Sequence, residues 1–194
     1  MLISINTLPS KAIRLVPIQP EMKAAMRLAL DCDPEAWHLM AVSALGDGFE
    51  GYWDQMRDEH QSGRRIAFAV IRQDDDQILG TTSFLNLALS DGGVEIGATF
   101  LNPTARGAIT NPQTKFLMLE HAFGCGALRV EFRVDQRNTR SQAAVTKLGA
   151  VREGVLRKHK RTWTGHFRDT VMFSILDNEW SEVRARLLAR IAAL

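Results

Sequence analysis

Cysteine is scarce in this chain: among 194 residues only Cys32 and Cys125 carry thiols. Two isolated cysteines, with neither paired nor metal-ligand spacing, argue against a disulfide framework and a thiolate metal centre, and they suit a reducing compartment with both thiols in the core. No apolar run approaches the roughly 20 residues of a membrane-spanning helix. Met1 to Pro9 lacks the basic start and apolar block of a secretory leader, so the expected setting is soluble and cytoplasmic, with no membrane partner. An excess of one charge is also missing. Twenty-four Lys and Arg against 22 Asp and Glu leave a net charge of +2, too small to imply a nucleic-acid protein. Tyrosine occurs once, at Tyr52. Internal repeats and low-complexity segments are absent.

What is present is ordinary globular material. Apolar residues make up 45% and charged residues 24%, and the length allows one domain over 1–194 with a sizeable core that needs no metal or disulfide. Ile13 to Ile18 reads as a first strand. Glu21 to Asp31 places Met22, Ala25, Met26, Ala29 and Leu30 on one helical face. Asp33-Pro34 caps and opens a further helix carrying Trp37, Met40 and Ala41. Gly46 to Gly63 is helical, with Phe49, Tyr52, Trp53 and Met56 as its apolar side. These N-terminal helices, about 20–63, suit a lid or a substrate wall where specificity would reside, or else simply pack onto a sheet. Their acidic residues Asp47, Glu50, Asp54, Asp58 and Glu59 favour a cationic substrate if they face a cleft, and are a solvated face otherwise. Ile66 to Arg72 and Ile78 to Leu89 form a hairpin around the Asp74-Asp75-Asp76 turn, which lacks the ligand spacing of a cation site. Val94 to Leu101 is the next strand. Asn111 as cap and Pro112 as first residue then predict a helix reaching about Gly124. A strand, short loop and helix start, with Arg106 alongside, suit an anion.

The central stretch runs from Arg129 to Ala150. Val130, Phe132 and Val134 alternate with Arg129, Glu131, Arg133 and Asp135, the pattern of a strand with one apolar face. Ala144, Val145 and Leu148 then recur at helical spacing, and Gly149 is placed to end the helix. Between them, Asn138 and Ser141 are either a cap and a solvated serine or polar groups of a site. Val151 to Trp163 and His166 to Leu176 read as a long hairpin turning at Thr164-Gly165, followed by a helix from Glu179 to Ala193. Arg157 to Arg161 is a basic run, but strand alternation would split it between two faces, which outweighs a nucleic-acid reading.

Val94-Glu95-Ile96-Gly97, then Arg106-Gly107 with Asn111 opening a helix, then Asp135-x-x-Asn138-x-x-Ser141 and Leu148-Gly149-Ala150-x-x-Glu153-Gly154, resemble in order and spacing the GNAT acetyltransferases, specifically the RimJ/RimL-like branch. The resemblance covers nearly the whole chain and implies an α/β (α+β) fold: a mixed, mostly antiparallel sheet whose two central parallel strands, Val94 to Leu101 and Arg129 to Asp135, splay apart between flanking helices. It implies acetyl-CoA as acyl donor in that gap and no metal. The pantetheine would pair with backbone near Phe100 and Leu101, and the pyrophosphate would sit on the loop Arg106, Gly107, Ala108, Ile109, Thr110 and Asn111. Asn138 would bond the pantetheine and Ser141 would lie near the sulfur. The family's loop usually follows Arg/Gln-x-x-Gly-x-Gly/Ala. Here Ile109 and Asn111 stand at the glycine positions and Pro112 removes a donor, so a different loop path and weaker cofactor binding are expected.

The implied reaction is attack of a primary amine, on a protein N-terminus or a small molecule, on the thioester in a ternary complex. An alkyl amine titrates near about 10.4 and must lose a proton first. Glu95 is the candidate base, acting through water, or else a plain strand residue. Backbone N–H groups of the splayed strand would hold the oxyanion. The tyrosine acid usual in this superfamily is missing after Asn138, as in the branch that uses serine, and Ser141 would orient and stabilise the leaving thiolate. The alternative is a non-catalytic module that binds acyl-CoA or a partner. A homodimer through the last hairpin or helix is compatible with the sequence, and nothing in the residues demonstrates one.

Overall fold

A computed structural model describes residues 1–107 and 109–194. The described residues form one eight-stranded sheet flanked by six α-helices. In chain order the elements are β1 (Leu8–Pro9), β2 (Ile13–Pro17), α1 (Lys23–Leu30), α2 (Pro34–His38), α3 (Gly48–Gln61), β3 (Ile66–Arg72), β4 (Ile78–Ala88), β5 (Gly93–Leu101), α4 (Thr110–Gly124), β6 (Arg129–Asp135), α5 (Thr139–Leu148), β7 (Val151–Arg161), β8 (Phe167–Leu176) and α6 (Asp177–Ala192). The sheet order is β1-β2-β3-β4-β5-β6-β8-β7, antiparallel except where β5 meets β6. This is the mixed, mostly antiparallel sheet that the resemblance implied.

Period-two alternation divides the core. On one face Val94, Ile96, Val130, Phe132 and Val134 pack with Leu117, Met118 and Leu119 of α4, Val145 and Leu148 of α5, and Val183 and Leu187 of α6. On the other, Ala67, Ala69 and Ile71 of β3 receive Met26, Leu30, Trp37, Phe49, Tyr52, Trp53 and Met56 from α1 to α3. The alanines leave room for these large side chains, so the apolar faces of the helices seat closely on the sheet.

Several details differ from expectation. The helix after Asp33-Pro34 ends at His38, so Met40 and Ala41 lie in the loop beyond it; Asp33 caps it as expected, accepting from the Ala36 N–H at 3.1 Å. Helix α4 begins at Thr110, two residues earlier than an Asn111 cap would allow. Proline at the third helical position costs nothing there, because that N–H has no partner within a helix anyway. The basic run in β7 does not alternate cleanly: between Leu156 and Lys160 the register with β8 slips, with Lys158 at φ +47. Cys32 and Cys125 are half-buried rather than sealed in the core.

Gly80 marks where β4 and β5 come closest. A Cβ there would stand 2.0 Å from the Phe100 carbonyl oxygen and 2.9 Å from the Leu101 Cα. Both atoms are backbone, so neither can swing aside. Gly80→Ala should therefore destabilise the fold by about 2 kcal/mol or more, read as a fall in the midpoint of urea unfolding; an unchanged midpoint would contradict this packing.

Candidate active site

Strands β5 and β6 are paired only at Gly93 with Arg129, Val94 with Val130, and Glu95 with Glu131. Beyond that fork β5 stays with β4 as far as Leu101 opposite Gly80, while β6 stays with β8 as far as Asp135 opposite Thr170. The facing edges of Ile96–Leu101 and Phe132–Asp135 have no strand between them among the described residues. Their N–H and C=O groups are thus available to a ligand that lies in the gap like an added strand.

Two bulges shape the fork. Ser83 faces Gly97 and Thr81 faces Phe100, so β5 carries one extra residue around Ala98, which sits at φ +45. A non-glycine residue in that region is strained by about 1–2 kcal/mol. The extra residue reverses the phase of the strand: Phe100 joins the α1–α3 side, whereas Thr99 meets α4. The second bulge lies in β4, where Leu85 faces Glu95 and Ala88 faces Gly93, with Asn86 at φ +46.

Glu95, at the last paired position, is 7% exposed. Its Oε2 accepts from the amide of Asn86 and lies 3.3 Å from Arg133 Nε. Gly97 makes room for the carboxylate, since a Cβ there would be 2.6 Å from Glu95 Oε1. Burial raises the Glu95 pKa above the ordinary glutamate value, with Arg133 and Asn86 opposing. Sequence reasoning found Glu95 but missed Asn86, whose only signal was an asparagine inside a strand pattern.

Lys115 was also missed. It projects from the second turn of α4, is 7% exposed, and donates from Nζ to Thr99 Oγ1 at 2.7 Å. Thr99 Oγ1 in turn lies 2.8 Å from Thr82 Oγ1. The same Nζ stands 5.9 Å from the ring centre of Phe132. It therefore reaches one residue on each limb of the gap. Burial lowers the Lys115 pKa to about 7, with Glu95 pulling it up.

At the mouth, Gly107 takes φ +77, a conformation glycine adopts freely. Ala108 lies outside the described residues. Ile109 has φ −66 and ψ −23 and occupies the cap position of α4 without a side-chain cap; Thr110 and Asn111 follow as the first two helical residues. Their N–H groups belong to the free set at a helix start. Arg106 is engaged elsewhere: Nε donates to the Leu101 carbonyl at 2.7 Å, Nη1 pairs with Asp33, and the guanidinium lies 5.2 Å over the Phe100 ring. The Arg106 hydrogen bond holds the Asp33 carboxyl below its usual range. Phe100 itself stacks on Trp37 at 4.4 Å, so Arg106 fastens the loop to α2.

Asn138 ends the turn after β6. Its Oδ1 accepts from the Ser141 N–H at 3.0 Å, the helix cap expected of it, worth about 1 kcal/mol. Nδ2 has no partner among the described residues. Ser141 is half-buried on the first turn of α5. Asp135 is buried, and although burial pushes its carboxyl up, hydrogen bonds from Arg137 hold it low. Arg137 also donates to the His38 carbonyl at 3.4 Å, and Trp163 donates from Nε1 to the Trp37 carbonyl at 2.9 Å. The α2 segment thus joins the β6–α5 turn and the last hairpin. The acidic residues of α3 stay outside: Glu50 pairs with Lys23 and Arg27, Asp54 and Asp58 with Arg57, and Glu59 with Arg65. Asp47, Glu50, Asp54 and Asp58 are exposed and Glu59 is half-buried, and these pairings give no support to a cationic substrate.

The parting sheet, the helix start of α4 and the buried carboxylate at the fork set the class of the domain, which the comparison with known proteins names. Residues 12–151 match the model of the Acetyltransferase (GNAT) domain, and the chain belongs to that family. It is 26% identical over 153 residues to the uncharacterized N-acetyltransferase p20 of Bacillus licheniformis, covering 77% of this chain and 84% of that one. A solved structure from T. thermophilus, assigned to the acetyltransferases, is 33% identical, with a TM-score of 0.87 over 98% of this chain and 99% of that one. Mycobacterium smegmatis RimJ in complex with CoA-disulfide superposes with a TM-score of 0.80 at 20% identity, over 95% and 93% of the two chains.

The buried lysine has a thermodynamic signature. An unfolded Lys115 titrates at the ordinary value of 10.5 and the folded one near 7. Between those values the unfolded state binds more protons, so stability rises with pH across that window, and the burial cost is fully present below about 7. Lys115→Met should therefore raise the melting temperature at pH 6, with the gain shrinking towards pH 10. An equal gain at both pH values would show that burial does not perturb the ammonium.

Proposed function

We propose that this protein transfers an acetyl group from acetyl-CoA to a primary amine, by direct attack within a ternary complex formed on a single domain in the cytoplasm. The observation that carries this reading is the fork itself: a buried carboxylate, Glu95, at the point where two parallel strands part. The family uses acetyl-CoA, and the residues here fit it. The free edge near Phe100 and Leu101 suits the amides of the pantetheine, and the N–H groups of Ile109, Thr110 and Asn111, reached through the Gly107 turn, suit its pyrophosphate. Arg106 serves the loop from behind by anchoring it to Asp33. Asn138 turns Nδ2 to the pantetheine while Oδ1 caps α5, and Ser141 orients the sulfur end. When bound, the donor supplies an activated thioester. Glu95 takes the proton of the incoming amine through water, and backbone N–H groups of β5 after the bulge steady the carbonyl oxygen. The acceptor approaches from the α1–α3 side, as a protein N-terminus or a small amine.

A second reading, an acyl-CoA-binding module without turnover, draws on the ion pair of Glu95 with Arg133, which lowers its readiness as a base. Calorimetry with acetyl-CoA and thiol release across an amine panel separate the two: binding with turnover supports transfer, binding without it supports the module, and no binding at millimolar donor overturns both.

Glu95→Gln keeps an acceptor for Asn86 and should fold. Turnover should fall by about 100-fold or more. In the wild type, kcat/KM should rise with pH through a value above the usual carboxylate range, because the base acts only when ionised, and that limb should vanish in the variant. A variant with unchanged turnover and pH profile would remove Glu95 from the chemistry.

A further inference from the structure

Lys115 is the one buried lysine among the described residues, and its ammonium has a single hydrogen-bond partner, the neutral hydroxyl of Thr99. Burying a cation whose one hydrogen-bond partner is a hydroxyl carries a desolvation cost that a leucine or methionine of similar size would not, and Glu95 offsets only part of it. The cost is placed where the limbs diverge, between Thr99 of β5 and Phe132 of β6. The bulge at Ala98 is what turns Thr99 towards it.

The transfer reaction lacks a proton donor on this side. The leaving sulfur needs one, since a thiolate is a poorer leaving group than a thiol. The hydroxyl of Ser141 holds its proton too tightly at neutral pH to give it up. The sole tyrosine, Tyr52, is packed beneath Trp37 in the α1–α3 layer, 5.6 Å from it in an edge-on contact. Backbone N–H groups can steady the carbonyl oxygen but have no proton to give.

We propose that Lys115 is a catalytic residue, the proton donor to the sulfur that leaves as the acyl group moves to the amine; this rests on the acetyl-CoA reading above. The amine nitrogen forms the new C–N bond with its lone pair, and the C–S bond breaks with its electron pair remaining on sulfur. Glu95 accepts the proton shed by nitrogen. Lys115 gives its own proton to sulfur and becomes a neutral amine. One proton is gained and one lost, so the net charge of the site is unchanged, and the resting forms return through solvent. The fork then has its acid and its base on opposite faces of one sheet.

The test uses the full chain with CoA as probe. An ammonium beside sulfur favours the thiolate, so the ultraviolet thiolate absorbance of bound CoA should emerge at lower pH than for free CoA. In Lys115→Met that shift should be lost. With acetyl-CoA and the best amine of the panel, the same variant should lose about 100-fold in kcat with little change in KM for the donor, and the fall in wild-type activity above about pH 7 should disappear from its profile. Wild-type turnover and CoA binding with identical thiolate titrations in both proteins would overturn the role of Lys115 alone. An acetyl group found by mass spectrometry on Lys115 after incubation with acetyl-CoA would also overturn it, showing a nucleophile rather than an acid. Failure of the wild type to bind CoA would overturn this inference together with the acetyl-CoA reading. If Lys115→Met does not fold, the wild-type thiolate titration decides alone.

Discussion

Everything at the centre of this molecule depends on two parallel strands that stop pairing after three residues. Each backbone group left without a partner in a buried setting costs on the order of 1–3 kcal/mol, so such a gap persists only if other interactions hold its limbs in place. Here β5 is retained by β4 and β6 by β8, both along ladders that continue well past the fork. The bulge at Ala98 bends the first limb away, and Gly80 allows β4 to follow it closely. The strain at Ala98 and the burial of Lys115 are thus located together, at the place where a ligand's backbone-like amides would offset them.

The same parting distributes charge. Strict alternation sends Glu95 to one face and Val94 and Ile96 to the other. Without the bulge Thr99 would share the face of Glu95; with it, Thr99 receives Lys115 from α4. A carboxylate and an ammonium end up on opposite sides of one strand, each desolvated, each moved towards neutrality: the acid upwards, the base downwards. Groups whose environments bring their titrations towards working pH are suited to exchanging protons. The stabilising cores lie further out, in the packing of α1–α3 against β3 and of α4–α6 against β6 and β8. Rigid supports outside and perturbed groups inside are one design.

The repetitive parts of this design were readable from residues. Ile66–Arg72 is a continuous apolar run and Arg129–Asp135 an alternating one, so both strands follow from the pattern, and Asn138 and Gly149 bracket α5 by the chemistry of caps. The bulges were hard to read: Ala98 carries no local mark, and Asn86 only that of an asparagine, a residue that tolerates positive φ, inside a strand pattern. Lys115 was hidden for a related reason. Periodicity places Leu119 and Ala122 inwards along α4, but it cannot show that Thr114 and Lys115 are buried too, since the helix is covered by both the sheet and α6. Trp37 lies in the expected helix, but its stack on Phe100, 63 positions away, has no local signal.

The loop ahead of α4 shows how a departure from a motif can be absorbed. A glycine is needed where the backbone must take positive φ or let a ligand approach closely. With Ile109 at φ −66, that residue makes no such demand; the demand falls on Gly107, at φ +77, where glycine is present. Starting α4 at Thr110 places Pro112 third in the helix and leaves the N–H groups of Thr110 and Asn111 ahead of it. The described residues of the loop keep what an anion needs: a turn, consecutive free donors and the positive end of a helix dipole. What it gives up is the charge of Arg106, committed to Asp33. What the loop offers an anion is then oriented N–H dipoles more than a full positive charge, while the Arg106–Asp33 pair ties the loop to α2.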